Sequence, residues 1–182
     1  MAATCRKFKP GPRTRDFVMV KARLLGNNGP GAPPAGGKGR EMALKLDLPA
    51  GLTGTAEMVV GEQHTAPRVG SGRIHVLATP VMINLIEAAA LAAVDQSLPE
   101  NHQSLGTRLD VSHMAATPVG MRVRATAEVV RVEGRAIHFR VRAEDEFDLI
   151  GEGTHERVVV NLGRFDERVR EKAARKPAPR GA

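Results

Sequence analysis

From Pro80 to Val94 the chain reads Pro-Val-Met-Ile-Asn-Leu-Ile-Glu-Ala-Ala-Ala-Leu-Ala-Ala-Val, and Glu87 is the only charge in it. Alanine and leucine in this density make a strong helix former. The apolar residues occupy every face of that helix, which predicts that other structure encloses it. A fold containing this segment must therefore supply a wrapping surface. Ionised carboxylates are almost never fully buried unless they are paired or do chemistry, so Glu87 is the first candidate functional group.

The wrapping surface is legible on both sides of the helix as alternation with a period of two. Thr55–Thr65 places Ala56, Met58 and Val60 on one face, and Ile74–Ala78 is a short apolar run able to pair in a sheet. After a break at Leu98-Pro-Glu-Asn-His, Thr107–His113 sets Leu109 and Val111 against Arg108, Asp110 and Ser112. Val123, Ala125, Ala127 and Val129 then alternate with Arg122, Arg124, Thr126 and Glu128. Glu133-Gly134 signals a hairpin into Ala136–Ala143, and a turn at Glu144–Asp148 leads into a last strand, Leu149–Leu162. One long apolar helix with five or six antiparallel strands predicts an α+β chain in which a curved sheet wraps a central helix. This is the hotdog architecture.

Charge divides the chain into a domain and tails. Residues 1–45 hold ten Lys/Arg against Asp16 and Glu41, residues 46–165 carry a net charge of −4, and residues 166–182 a net of +3, within a total of +7. Residues 1–45, rich in Gly and Pro, predict an unstructured basic extension, with Met42 as an alternative translation start. Residues 46–165 form the predicted domain, and Asp166–Lys176 a short surface helix ahead of a Pro-rich end. Nucleic-acid binding requires a basic face on folded structure or aromatic stacking platforms. Here the folded part is acidic and the chain has neither Trp nor Tyr, so no nucleic-acid partner is predicted. Val81–Val94 falls short of the roughly 18–20 residues of a membrane span, no signal-peptide apolar region opens the chain, and the single Cys5 fits a reducing compartment. A cytoplasmic protein without a membrane partner is expected. The histidines lack metal-ligand spacing, so no metal site is predicted.

Four segments, in this order and spacing, resemble the hotdog thioesterases related to fluoroacetyl-CoA thioesterase. They are Leu77-Ala-Thr-Pro-Val-Met-Ile-Asn-Leu-Ile-Glu87, Leu105-Gly-Thr-Arg-Leu-Asp-Val-Ser-His113, Ala115-Ala-Thr-Pro-Val-Gly120 and Ile150-Gly-Glu-Gly-Thr-His-Glu-Arg157. The resemblance implies a catalytic set of Thr79, Glu87 and His113. It also implies that Gly106 lines the acyl site, that Arg157 binds substrate, and that the protein is a homodimer acting on an acyl-CoA without a further cofactor. Thioester hydrolysis suits these residue types, since it needs a carboxylate to attack or to activate water, donors for the oxyanion, and a proton relay toward the leaving thiolate.

The residues also admit plainer readings. Thr79 before Pro80 is a natural helix cap, Glu87 can form a structural ion pair with a strand arginine such as Arg157, and His113 and His155 can be ordinary sheet residues. A non-catalytic acyl-CoA-binding module and a hotdog dehydratase or hydratase are the alternative functions. Two further expectations follow. With Thr79 at the head of the helix, eight residues at about 1.5 Å rise put it roughly 12 Å from Glu87 along the axis, too far for contact, and His113 is the expected partner of Glu87. The stretch Thr65–Ala78, where the fluoroacetyl-specific enzyme carries a phenylalanine-bearing lid, contains no aromatic residue, which predicts short- or medium-chain acyl-CoA as substrate instead.

Overall fold

Alternating apolar and polar residues produce one antiparallel sheet. In the computed structural model, which describes residues 19–23 and 46–175, its strands are β1 (Met19–Arg23), β2 (Thr53–Val59), β3 (His102–His113), β4 (Arg122–Glu133), β5 (Ala136–Glu144) and β6 (Leu149–Asn161). They lie in the order β1-β2-β4-β5-β6-β3. Helices α1 (Ala66–Val69) and α2 (Thr79–Val94) connect β2 to β3, and α3 (Leu162–Ala174) follows β6. This is the hotdog arrangement expected from the sequence.

The inward positions of β4 and β5 form the floor of the core: Val123, Ala125, Ala127, Val129, Ile137, Phe139, Val141 and Ala143 are buried. Their outward neighbours make exposed cross-strand ion pairs, such as Arg124 with Glu57 at 3.2 Å, which add little stability. Helix α2 lies on this floor, mainly against β2 and β4. Small residues set how near it comes. A methyl group at Gly54 on β2 would run into the backbone of Ala89 and Ala93, and both of those alanines are buried.

The enclosure of α2 is incomplete, which departs from the expectation of a helix wrapped on all sides. Pro80, Asn84 and Leu91 are exposed and Glu87 is half-buried between them. These positions recur at the spacing of one helical stripe. The reason is the sheet order: β2 and β4 cover the opposite side of the helix, while β3 sits at the sheet's edge and makes few contacts with it.

Three sequence expectations change. Residues Met19–Arg23, inside the predicted unstructured extension, pair with β2 from Met19↔Glu57 to Arg23↔Thr53. Val18-Met-Val20 is a short apolar run that the Gly/Pro content of its surroundings masked, and the edge of β2 offers it unpaired backbone groups. The rest of the extension, with Met42, lies outside the described residues, as does the Pro-rich end beyond Arg175. Ile74–Ala78 contributes only an isolated bridge, Thr65↔Leu77, instead of a strand. Helix α3 begins at Leu162, four residues earlier than read, because the side chain of Asn161 accepts from Arg164 N at 3.2 Å and caps it. Among the described residues no helix is long and apolar enough to cross a membrane.

Candidate active site

Ala78, in an extended conformation, is the N-cap of α2, and Thr79 is its first helical residue with Pro80 next. Proline is tolerated there because the first-turn N–H groups lack helical partners anyway. Thr79 is therefore not the cap that its position before Pro80 suggested. Its hydroxyl lies 2.8 Å from Nδ1 of His113, the last residue of β3. Backbone bonds hold both ends of this pair: Leu77 N–H donates to the Thr117 carbonyl and Met114 N–H to the Ile150 carbonyl, each at 2.8 Å. Burial holds the His113 imidazole below its ordinary pKa, against the opposing pull of the Ala115 backbone. Its Nε2 is buried and has no hydrogen-bond partner among the described residues.

Glu87, two turns further along α2, belongs to a second cluster. Its Oε2 lies 3.4 Å from Nη1 of Arg157, not against His113 as expected. The reason is the helix: because α2 already begins at Thr79, the distance estimated from the helical rise stands, and β3 reaches Glu87 at Gly106 and not at its end. Arg157 is buried on β6 and satisfied on its other side by Ser104, whose Oγ accepts from Nε and whose carbonyl accepts from Nη2, both at 2.9 Å. Burial pulls the guanidinium below its ordinary pKa while Glu87 opposes that shift. Gly106 closes the cluster. A methyl group there would stand 3.0 Å from Oε2 of Glu87 and 3.1 Å from the ring of His155, so any larger residue would make one of them give way.

The five residues singled out in the sequence thus fall into two groups within one chain, Thr79 with His113 and Glu87 with Gly106 and Arg157. The exposed face of α2 runs between them, past Pro80 and Asn84. Beside the first pair, the loop after α1 and the segment after β3 border a cleft of about 360 Å³, lined by Arg73, Ile74, Val76, Leu77, Met114 and Ala115 among others. A half-exposed carboxylate with one oxygen held, a hydroxyl–imidazole pair and an apolar cleft are groups able to support ester hydrolysis.

The relatives agree with this chemistry. The family model described as fluoroacetyl-CoA-specific thioesterase matches residues 60–162. The chain belongs to the fluoroacetyl-CoA-specific thioesterase family. As a member, it is a thioester hydrolase by class. The fluoroacetyl-CoA thioesterase of Streptantibioticus cattleyicolor is 47% identical to it over 97 residues, 53% of this chain and 70% of that protein. The solved structure of the fluoroacetyl-CoA thioesterase FlK matches with a TM-score of 0.65 at 38% identity, covering 71% of this chain and 98% of that one. A thioesterase superfamily member from Thermus thermophilus matches at 0.66 with 31% identity over 70% and 95% of the two chains.

Two further residues join the Glu87 cluster of this candidate site: Ser104, and His155, which the sequence admits as an ordinary sheet residue. Ser104 gave no signal, since one serine near a strand start is unremarkable. His155 did give one. His155, Arg157 and Val159 share the inward face of β6, and two polar residues in a row facing a core demand partners.

Proposed function

We propose that this protein hydrolyses short- or medium-chain acyl-CoA to coenzyme A and a carboxylate, in the cytoplasm and as a homodimer, without the fluoroacetyl specificity by which its family is described. The observation that carries the reading is Glu87: Arg157 holds one oxygen, and the other has no partner among the described residues while the residue remains half-exposed. That free oxygen removes a proton from water as the water attacks the carbonyl, or attacks the carbonyl itself to give an anhydride that water then cleaves to free carboxylate and Glu87. The carbonyl carbon becomes tetrahedral, the C–S bond breaks, and the thiolate takes a proton relayed by His113 through Nε2, with the Thr79 hydroxyl orienting the ring. The space at Gly106 lets the strand backbone approach the ester. Because roughly 12 Å of helix separates Thr79 from Glu87, the two groups act together around substrate lying along the open stripe of α2.

The cleft beside Thr79 and His113 favours a carbon chain. Its volume of about 360 Å³ lies within the range of small-ligand sites, its walls are mostly aliphatic, and among the described residues no Phe, Tyr or Trp borders it. The edge strand β3, whose outer side is unpaired among the described residues, supports the homodimer. A second copy paired there covers that edge and the open stripe of α2 together. Incubation with fluoroacetyl-, acetyl-, butyryl- and hexanoyl-CoA in the presence of a thiol reagent tests the reaction, and light scattering tests the dimer. Thiol release with butyryl- or hexanoyl-CoA, lost by about a hundredfold or more in Glu87→Gln, is the expected result. Acyl-CoA binding without thiol release, unaltered by Glu87→Gln, makes the protein a binding module instead.

A further inference from the structure

His155 is fully buried on β6, with its ring stacked 6.0 Å from that of Phe139, and the reaction above gives it no task. Its two nitrogens have single-minded neighbours. Nδ1 lies 2.8 Å from the Arg108 carbonyl, which can only accept, and Nε2 lies 3.2 Å from Nη1 of Arg157, which can only donate. The ring is therefore the neutral tautomer with its hydrogen on Nδ1 and a lone pair on Nε2. Nη1 has two hydrogens, and this geometry spends one on His155 and one on Oε2 of Glu87. Ser104 occupies Nε and Nη2.

Resting on the reading of Glu87 as the hydrolytic carboxylate, we propose that His155 is a positioning residue: its Nε2 takes one Nη1 hydrogen of Arg157, so that the guanidinium holds a single oxygen of Glu87 and leaves the other free to react. Arginine and carboxylate prefer to pair through two parallel hydrogen bonds. Without an acceptor at position 155, Ser104 still holds Nε and Nη2, but the second Nη1 hydrogen is released to turn toward the remaining oxygen of Glu87, and the group that must take a proton is clamped.

The surroundings favour the required tautomer. Burial lowers the pKa of His155 against the pull of the Arg108 carbonyl, and the charge of Arg157 lowers it further. The charged groups acting on the ring are Glu87 from α2, Arg157 from the same face of its own strand and Glu156 from the opposite face, while β3 brings the Arg108 carbonyl and β5 the Phe139 ring. A proton on Nε2 would point an N–H at an N–H.

Two substitutions separate positioning from support of the fold. In His155→Gln the amide oxygen takes the place of Nε2 and accepts from Arg157; in His155→Asn the amide nitrogen takes the place of Nδ1 and donates to the Arg108 carbonyl. Positioning predicts a kcat about tenfold higher in His155→Gln than in His155→Asn, with KM for butyryl-CoA little changed between them. The reverse order, or equal losses in both, overturns the proposal. Nitrogen NMR of the unaltered protein is independent of variant folding and of turnover. Separate, slowly exchanging Nη signals for Arg157 and a neutral Nδ1–H His155 between pH 6 and 8 are expected, and averaged Nη signals or the opposite tautomer overturn it. Absence of thiol release by the unaltered protein, by contrast, sinks the thioesterase reading itself.

Discussion

The hydroxyl of Thr79 lies 2.8 Å from Nδ1 of His113, which ties the first residue of α2 to the last residue of β3. That bond takes the hydroxyl away from the helix: Ala78 is the cap, and no side chain caps the helix start. A threonine beside a proline at a helix start normally serves local structure. Here it serves a histidine 34 residues away in sequence.

Thr79→Ala is therefore expected to leave stability nearly unaltered, within about 0.5 kcal/mol, while reducing kcat by about tenfold or more; Thr79→Ser restores most of the rate. Loss of a true capping residue would cost about 0.5–2 kcal/mol. Urea unfolding beside thiol-release kinetics distinguishes the two, and a large destabilisation with unaltered kcat would return Thr79 to a structural role.

Gly106→Ala places a methyl group 3.0 Å from Oε2 of Glu87 and 3.1 Å from His155. One of them must shift by a few tenths of an ångström or more, so kcat is expected to fall by about ten- to a hundredfold. The backbone there is not in a left-handed conformation, so stability should change little. Steady-state kinetics with butyryl-CoA and a thermal melt provide the check.

Gly54→Ala is expected to act on the fold alone. Its methyl group meets the backbone of Ala89 and Ala93, which cannot swing aside as a side chain can, and overpacking of this kind costs about 1–3 kcal/mol. A variant as stable as the parent would mean that α2 lies further from β2 than described.

Acid should weaken the fold before it titrates most carboxylates. His113 and His155 both have pKa values lowered in the folded state, chiefly by burial. As pH falls through about 6.5 the unfolded chain takes up protons that the folded chain resists. Their contribution is therefore complete above that pH, declines below it, and levels off once the lowered folded values are reached. Unfolding free energies at pH 8, 6.5 and 5 should show this decline, and His155→Gln should reduce it. A flat profile would mean that neither ring is held neutral.

The core and the site differ in how far the sequence reveals them. The strands from Arg122 onward were legible because inward and outward residues alternate over most of their length, and Glu87 was legible because one charge in an apolar helix has few explanations. The strand Met19–Arg23 was not, because a five-residue edge strand exists only through the partner that offers it hydrogen bonds. Composition could place Arg157 among the possible partners of Glu87 but could not choose it over His113.

The sequence by itself determined the helix, the sheet that covers it and the residue types of the site, because period and composition act over neighbouring positions. Only the tertiary structure decided which of those residues meet. The curl of the sheet brings Gly106, His155 and Arg157 to Glu87, whereas the rigid rise of α2 carries Thr79 away to His113. Side chains meet across strands that are remote in sequence, and no local pattern encodes that distance.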